Sequence, residues 1–167
     1  LLAPARIAPE TAAAARRLAT DTVTALGGVG IFGIELFLTA EGEILVNEVA
    51  PRTHNSGHYT IEACITDQFE QHLRAITGLP LGATEQLMPA AMINLLGAPG
   101  ESGPPVIRGL RAALAIPGVS VHFYGKASTR PFRKMGHVTV LDADIESARR
   151  KAEQVRALLE IGSEREQ

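Results

Sequence analysis

The spacing of hydrophobic positions changes at several points along the chain, and each change marks an element. Pro9-Glu10 suits a first helical turn, because proline is tolerated at N1 and an acid there is favoured by the helix dipole. The alanine-rich stretch that follows sets Ala14, Leu18, Val23 and Leu26 at near-helical spacing until Gly27-Gly28 stops it, which predicts a surface helix with one apolar stripe. From Val29 the period falls to two, with Ile31, Gly33, Glu35 and Phe37 on one face and Phe32, Ile34, Leu36 and Leu38 on the other. Residues 39–43, Thr-Ala-Glu-Gly-Glu, suit a hairpin connection, and Ile44 to Glu48 the returning strand.

Beyond an irregular stretch, Ile61 to Ile65 and Asp67 to Ile76 are predicted helices. Asp67 is placed to cap the second, with Glu70 at N3 as in a capping box and Phe69, Leu73 and Ile76 on one face. Cys64 is expected to pack there as a small hydrophobe. Residues 78–83, Gly-Leu-Pro-Leu-Gly-Ala, break the pattern, and a second unit follows. It comprises a buried strand from Ala90 to Leu96, a Gly/Pro loop over 97–105, a short helix from Leu110 to Ile116, and strands Ser120 to Tyr124 and His137 to Leu141. A terminal helix capped by Asp142 or Asp144 then runs through Leu159, and the tail from Gly162 to Gln167 is expected to fray. The predicted division is 1–82, a linker at 83–87, and 88–167, in an α+β fold.

Glu35 is anomalous in this pattern, since it lies in a strongly apolar strand where an unpaired carboxylate is costly to bury. If Glu41-Gly42 forms the hairpin tip, Ala40 faces Glu43, and counting outward sets Glu35 directly opposite Glu48. Like charges in that relation repel and call for a counter-charge. A divalent cation would serve, as would a salt bridge to Arg52 or another base; a one-residue slip would instead turn the two acids to opposite faces. The same strand runs straight into Asn-Glu-Val-Ala-Pro-Arg-Thr-His-Asn-Ser-Gly-His over 47–58, a set of anion- and metal-binding groups on a rigid edge. Lys126, Arg130, Arg133 and Lys134 crowd the loop between the last two strands, where they can bind a phosphate or form only a solvated basic turn.

Composition sets the outer bounds. A chain of 167 residues, 46% hydrophobic, can bury a real core, and a formal charge of −2 argues against coating nucleic acid or an anionic membrane. The single cysteine can form no internal disulfide, and no leader or apolar span of membrane length is evident, so a cytoplasmic setting is the expectation. Leu1-Leu2-Ala3-Pro4, without an initiator Met, suits the end of a strand in a chain that continues upstream.

Taken in order, several segments resemble the C-terminal half of the 5-(carboxyamino)imidazole ribonucleotide synthases, ligases of the ATP-grasp superfamily. They are Gly33-Ile34-Glu35-Leu36-Phe37, Asn47-Glu48-Val49-Ala50-Pro51-Arg52, His54-Asn55-Ser56-Gly57-His58, the Gln68 to Ile76 helix, Met92-Ile93-Asn94-Leu95-Leu96-Gly97, and Arg133-Lys134-Met135-Gly136-His137. The resemblance implies the C-terminal part of an ATP-grasp domain, an antiparallel sheet with helices, followed by a small α/β C-terminal domain. It implies ATP and Mg2+ as cofactors and ATP-dependent carboxylation of aminoimidazole ribonucleotide with bicarbonate through carboxyphosphate, in purine biosynthesis. It also implies a homodimer and possible coupling to the mutase that uses the product, with no nucleic-acid or membrane partner.

By residue, the resemblance gives Glu35 and Glu48 to the metal, Asn47 and Glu48 to the nucleotide, and Arg52 and His54 to catalysis. Asn55, Ser56, Lys126, Arg133 and Lys134 fall to substrate, the last three at the ribonucleotide phosphate. His58 and His137 match the motifs without an assigned role. Many ATP-grasp proteins carry an Asn two residues after the second acidic ligand; here Val49-Ala50 follow Glu48, so that ligand is absent or supplied by Asn47. The family's upstream lid, lysine and adenine contacts have no counterpart in the chain, which is therefore expected to be inactive alone. The alternatives are a formate-dependent glycinamide ribonucleotide transformylase-like enzyme, whose loop usually continues His-Asp-Thr-Gly, and a non-catalytic dimerisation or phosphate-binding module.

Overall fold

Helix α1 spans Pro9–Leu26, with Pro9 at its start and Gly27 closing it in the left-handed region at φ 61°. This computed structural model describes residues 1–164. Two compact units emerge, one formed by Ala5–Leu87 and the other by Leu1–Pro4 together with the chain from Met88 onward.

In the first unit α1 is followed by an antiparallel pair, β2 (Gly33–Leu38) and β3 (Ile44–Ala50), after the two-residue strand β1 (Leu2–Ala3) of the other unit. Strand β2 starts four residues later than the alternation from Val29 predicts. The reason is local: Gly30 takes φ 124°, and the Ile31 N–H bonds to His72 Nδ1 at 3.0 Å rather than to a strand. Strand β3 runs on to Ala50. The hairpin closes at Thr39 and Glu43, with Thr39 N–H donating to the Glu43 carbonyl at 2.9 Å and Gly42 turning at φ 87°, so the tip is Ala40-Glu41-Gly42 rather than Glu41-Gly42.

Below the hairpin come a 3₁₀ turn at Asn55–Gly57, a short α2 (Thr60–Ala63) and α3 (Gln68–Ile76). Helix α2 is shorter than predicted, and Cys64 caps its C-terminal end, its thiol pushed up by burial. Asp67 caps α3 by accepting from the N–H groups of Phe69 and Glu70 at 2.7 and 3.0 Å. Glu70 does not complete a capping box; its carboxylate takes Arg74 Nε at 2.8 Å one turn on. The helix is also turned over relative to its apolar pattern. Phe69, Leu73 and Ile76 are exposed, while Gln68 and Gln71 are buried.

In the second unit β4 (Ala90–Leu96), β5 (Pro105–Arg108), α4 (Leu110–Leu114), β6 (Val119–Phe123), β7 (Lys134–Leu141), α5 (Ile145–Leu158) and β8 (Glu160–Ser163) follow in order. The main sheet is antiparallel throughout in the order β1-β4-β7-β6. Val138 and Val140 of β7 are fully buried in a core that includes Ala148, Ala152 and Val155 of α5, which recur at intervals of three and four residues. Asp144 caps α5 through Ser147 N–H at 2.8 Å. Contrary to expectation, the end of the chain is not frayed from Gly162. Ile161 is 2% exposed, β8 pairs with β5, and Arg108 ties Glu160 and Glu101 beside it; residues 165–167 lie outside the described part. Strand β5 carries no clear alternation in sequence and forms because β8 offers it a partner.

Candidate active site

Antiparallel pairing brings the first chemistry together. Glu35 and Glu48 are direct partners across β2 and β3, so their side chains rise from the same face. A bulge separates this pair from Leu36↔Val46 and leaves Asn47 as the extra residue. Its amide turns to the acids, with Nδ2 donating to Glu35 Oε2 at 3.3 Å. Two carboxylates and one amide oxygen are hard donors of the kind that hold magnesium with water and phosphate oxygens completing its shell. Among the described residues no group of three or more His, Cys, Asp or Glu could hold a metal ion, so a cation here would rely on ligands from outside the chain. Arg52 does not neutralise the pair; its guanidinium donates to the Thr53 carbonyl at 3.0 Å, and Arg52 stays exposed.

His54 lies beneath Glu35. Its Nε2 is 3.8 Å from Glu35 Oε1, and its side chain is 14% exposed. Ser56 fixes the ring from the other edge, with Oγ at 2.8 Å from Nδ1 and a long N–H bond to the same nitrogen at 3.4 Å. An Nδ1 that accepts leaves the proton on Nε2, facing the carboxylate. Gly33 makes room for this, because a Cβ there would sit 2.6 Å from His54 Cβ. Asn55 opens the 3₁₀ turn beside it. Asn47, Glu35, Glu48, His54 and Ser56 are thus joined by pairing or contact; Arg52 and Asn55 are adjacent through the chain.

The sequence singled out these residues and missed the groups that hold them. Gln68 is 6% exposed and accepts from His54 N–H at 2.9 Å while donating to the His54 carbonyl at 3.0 Å. Gln71 makes the same two-bond exchange with Gly82, at 2.8 and 2.9 Å. The available signal was two glutamines three apart on a helix whose other face is apolar, a pattern that apolar periodicity assigns to solvent.

On the second unit, the basic loop joins β6 to β7. Lys126 Nζ donates to the Lys134 carbonyl and lies 5.6 Å from the centre of the Tyr124 ring. Arg133 donates to the Ser128 carbonyl at 2.9 Å and to its hydroxyl at 3.1 Å. Lys134 is exposed at the start of β7. Gly97 supports the loop, since a Cβ there would overlap Thr129 and the Arg130 carbonyl. Tyr124 OH meets His137 Nδ1 at 3.1 Å, and His137 stacks on His122 with centroids 4.5 Å apart, so His137 is built into the sheet that carries the loop.

Comparison with known proteins gives a consistent result. Residues 1–69 match the ATP-grasp domain family, and residues 90–151 match the phosphoribosylaminoimidazole carboxylase C-terminal domain. A chloroplastic phosphoribosylaminoimidazole carboxylase from Vigna aconitifolia is 50% identical over 86% of the chain, which spans 26% of that protein. The crystal structure of N5-carboxyaminoimidazole ribonucleotide synthetase from Thermotoga maritima superposes with a TM-score of 0.94 at 62% identity, covering 98% of the chain and 45% of its own. That of N5-carboxyaminoimidazole synthase from Aspergillus clavatus, in complex with ADP and 5-aminoimidazole ribonucleotide, gives a TM-score of 0.85 at 38% identity over 94% of this chain and 42% of its own. The chain therefore spans less than half the length of these relatives.

Proposed function

We propose that the chain, whose two parts match the ATP-grasp domain and the phosphoribosylaminoimidazole carboxylase C-terminal domain, belongs to the N5-carboxyaminoimidazole ribonucleotide synthase family and serves the ATP-dependent carboxylation of 5-aminoimidazole ribonucleotide. In this reaction bicarbonate oxygen attacks the γ-phosphorus of ATP, ADP leaves, and carboxyphosphate results. The exocyclic amine of the ribonucleotide then attacks the carboxyl carbon, phosphate departs, and the amine loses its proton. The observation that carries the reading is the facing pair Glu35 and Glu48 with Asn47 bulged in beside them.

Glu35 and Glu48 would hold magnesium, with Asn47 directing its amide to metal or nucleotide; the ion supplies charge neutralisation on the phosphates. Arg52, Asn55 and Ser56 lie next in the chain and offer positive charge and donors for bicarbonate and the phosphorylated anion. His54 faces Glu35, which favours a role in orienting that carboxylate. Lys126, Arg133 and Lys134 bind the ribonucleotide phosphate as one point charge from each lysine and a planar fork from the arginine. The carboxylase-type match over residues 90–151 favours this reading over the formate-dependent alternative. A homodimeric, cytoplasmic enzyme whose product passes to a mutase completes the proposal, and no helix among the described residues is long and apolar enough to cross a membrane.

The test is magnesium-dependent ADP release, stimulated by aminoimidazole ribonucleotide, in a protein that contains this chain. Lys126→Ala should raise KM for the ribonucleotide on the order of ten-fold, the loss of one charge-assisted bond, and leave KM for ATP unchanged. A variant that weakens ATP and spares the ribonucleotide would overturn the assignment of the loop; no magnesium-dependent ADP release at all would favour the non-catalytic module.

A further inference from the structure

Gln68 sits at the first position of α3, yet its side chain reaches away from the helix into the turn that carries the candidate site. Oε1 accepts from His54 N–H at 2.9 Å, Nε2 donates to the His54 carbonyl at 3.0 Å, and the same Nε2 lies 2.8 Å from His58 Nδ1. Exchanging both bonds with one residue's N–H and C=O is the pairing a neighbouring antiparallel strand makes. Here one side chain does it for a segment that has no strand beside it. Gly57 admits the amide, since a Cβ there would overlap Oε1 and lie 2.8 Å from Cδ. The main chain of Gln68 is fixed too: its N–H bonds to Thr60 Oγ1 at 3.0 Å, and the Thr60 hydroxyl donates to the Gly57 carbonyl at 2.6 Å.

The valences of the amide fix the tautomer of its neighbour. Its single nitrogen offers two hydrogens, one to the His54 carbonyl and one to His58, so His58 Nδ1 must accept and its ring proton must sit on Nε2. His58 is held flat against Phe69, with centroids 5.7 Å apart and planes 17° from parallel, so the ring stays aligned with the amide. On the other side, pinning both backbone groups of His54 fixes where its ring leaves the chain, and that ring ends 3.8 Å from Glu35.

We propose that Gln68 is the positioning residue of this site: it selects the Nε2–H tautomer of His58 and, through the backbone of His54, sets the imidazole against Glu35. The functional half rests on the reading of Glu35 as a magnesium ligand; the tautomer half stands on hydrogen-bond geometry alone.

Long-range ¹H–¹⁵N correlation spectra of the ¹⁵N-labelled protein, recorded where the imidazoles are neutral, read the tautomers directly. His58 is expected as Nε2–H in the wild type. Gln68→Glu keeps the size of the side chain and the acceptor for His54 N–H but removes both donors, so the His58 proton should move to Nδ1 to meet the carboxylate. Gly57→Ala displaces the amide without altering residue 68 and should erode the same preference, which keeps the test open if the charged variant does not fold. An Nδ1–H tautomer in the wild type, or a tautomer untouched by both substitutions, overturns the proposal.

The functional arm is the magnesium concentration for half-maximal ADP release in a protein that contains this chain. It should rise up to about ten-fold in Gln68→Glu, the low end for direct partners of metal ligands because Gln68 acts through His54, with KM for the ribonucleotide unchanged. A tautomer shift with an unaltered magnesium requirement would overturn the positioning role. A wild type with no magnesium-dependent turnover would instead defeat the reading of the site, leaving the hold on the two histidines to the spectra.

Discussion

Replacing Glu48 by Gln should make the protein more stable without magnesium and less stable with it. The pairing of Glu35 with Glu48 puts their Cβ atoms about 4.5–5.5 Å apart, and like charges so placed cost up to about 1 kcal/mol. The Glu35 side chain is 43% exposed, so solvent and salt reduce this to about 0.5 kcal/mol, or about 2–4 °C in melting temperature for a unit of this size. Glu35 keeps its contacts with Asn47 and His54 in the variant, so no new unpaired group offsets the gain. Magnesium at ten times its dissociation constant should add about 1.4 kcal/mol to the wild type, and most of that should vanish when one of two charged ligands is neutralised. Melting curves in chelator and across a magnesium series at constant ionic strength should therefore cross. Parallel curves would remove Glu48 from the metal site, and a less stable variant in chelator would show that Glu48 has a stabilising partner rather than a repelling one.

Three further substitutions, two of them read in a pH series, test the second unit. Phe132, 68% exposed, holds φ 61°, a conformation that costs a non-glycine residue roughly 1–2 kcal/mol. Phe132→Gly should gain about 0.5–1 kcal/mol after the greater unfolded-state freedom of glycine is deducted; a fall in denaturation midpoint would mean that the ring itself is stabilising. Asp142 is held below the usual aspartate range, first by its bond from Lys151 and then by Ala143 N–H, and Asp144 first by the backbone and hydroxyl of Ser147. Both folded values are depressed, so their stabilisation is present above the ordinary aspartate value of about 3.9 and is lost as pH falls through the folded values. The acid limb of a melting-temperature profile should flatten in Asp142→Asn and Asp144→Asn, and a wild-type loss confined to pH 5–7 would contradict the assignment.

Elements whose sequence pattern and packing agree were legible. Helix α1 was marked by Pro9 and Gly27, α5 by a cap at Asp142 or Asp144, of which Asp144 makes the bond, and β4 by an apolar run interrupted at Asn94. The misreadings fall where a distant partner overrides the local pattern. Strand β8 exists because β5 and Arg108 receive it, which nothing near Gly162 announces. Helix α3 was assigned the wrong buried face because the sequence counts glutamine as polar, whereas Gln68 and Gln71 satisfy their amides on backbone groups and can be buried at little cost.

The facing of Glu35 and Glu48 was predicted correctly, but by two errors that cancel. Counting from a two-residue tip gives partners whose numbers sum to 83, yet Leu36↔Val46, Phe37↔Leu45 and Leu38↔Ile44 sum to 82, because the tip holds three residues. The bulge at Asn47 adds one, and from Glu35↔Glu48 onward the sum is 83. It follows that Asn47 does not create the acidic pair. With Asn47 deleted and the outer register kept, the next residue opposite Glu35 would still be Glu48. The extra residue contributes its amide, delivered to Glu35 from the position beside Glu48, where regular alternation would have sent that side chain to the opposite face. The bulge brings an amide to a two-carboxylate ladder without moving either carboxylate.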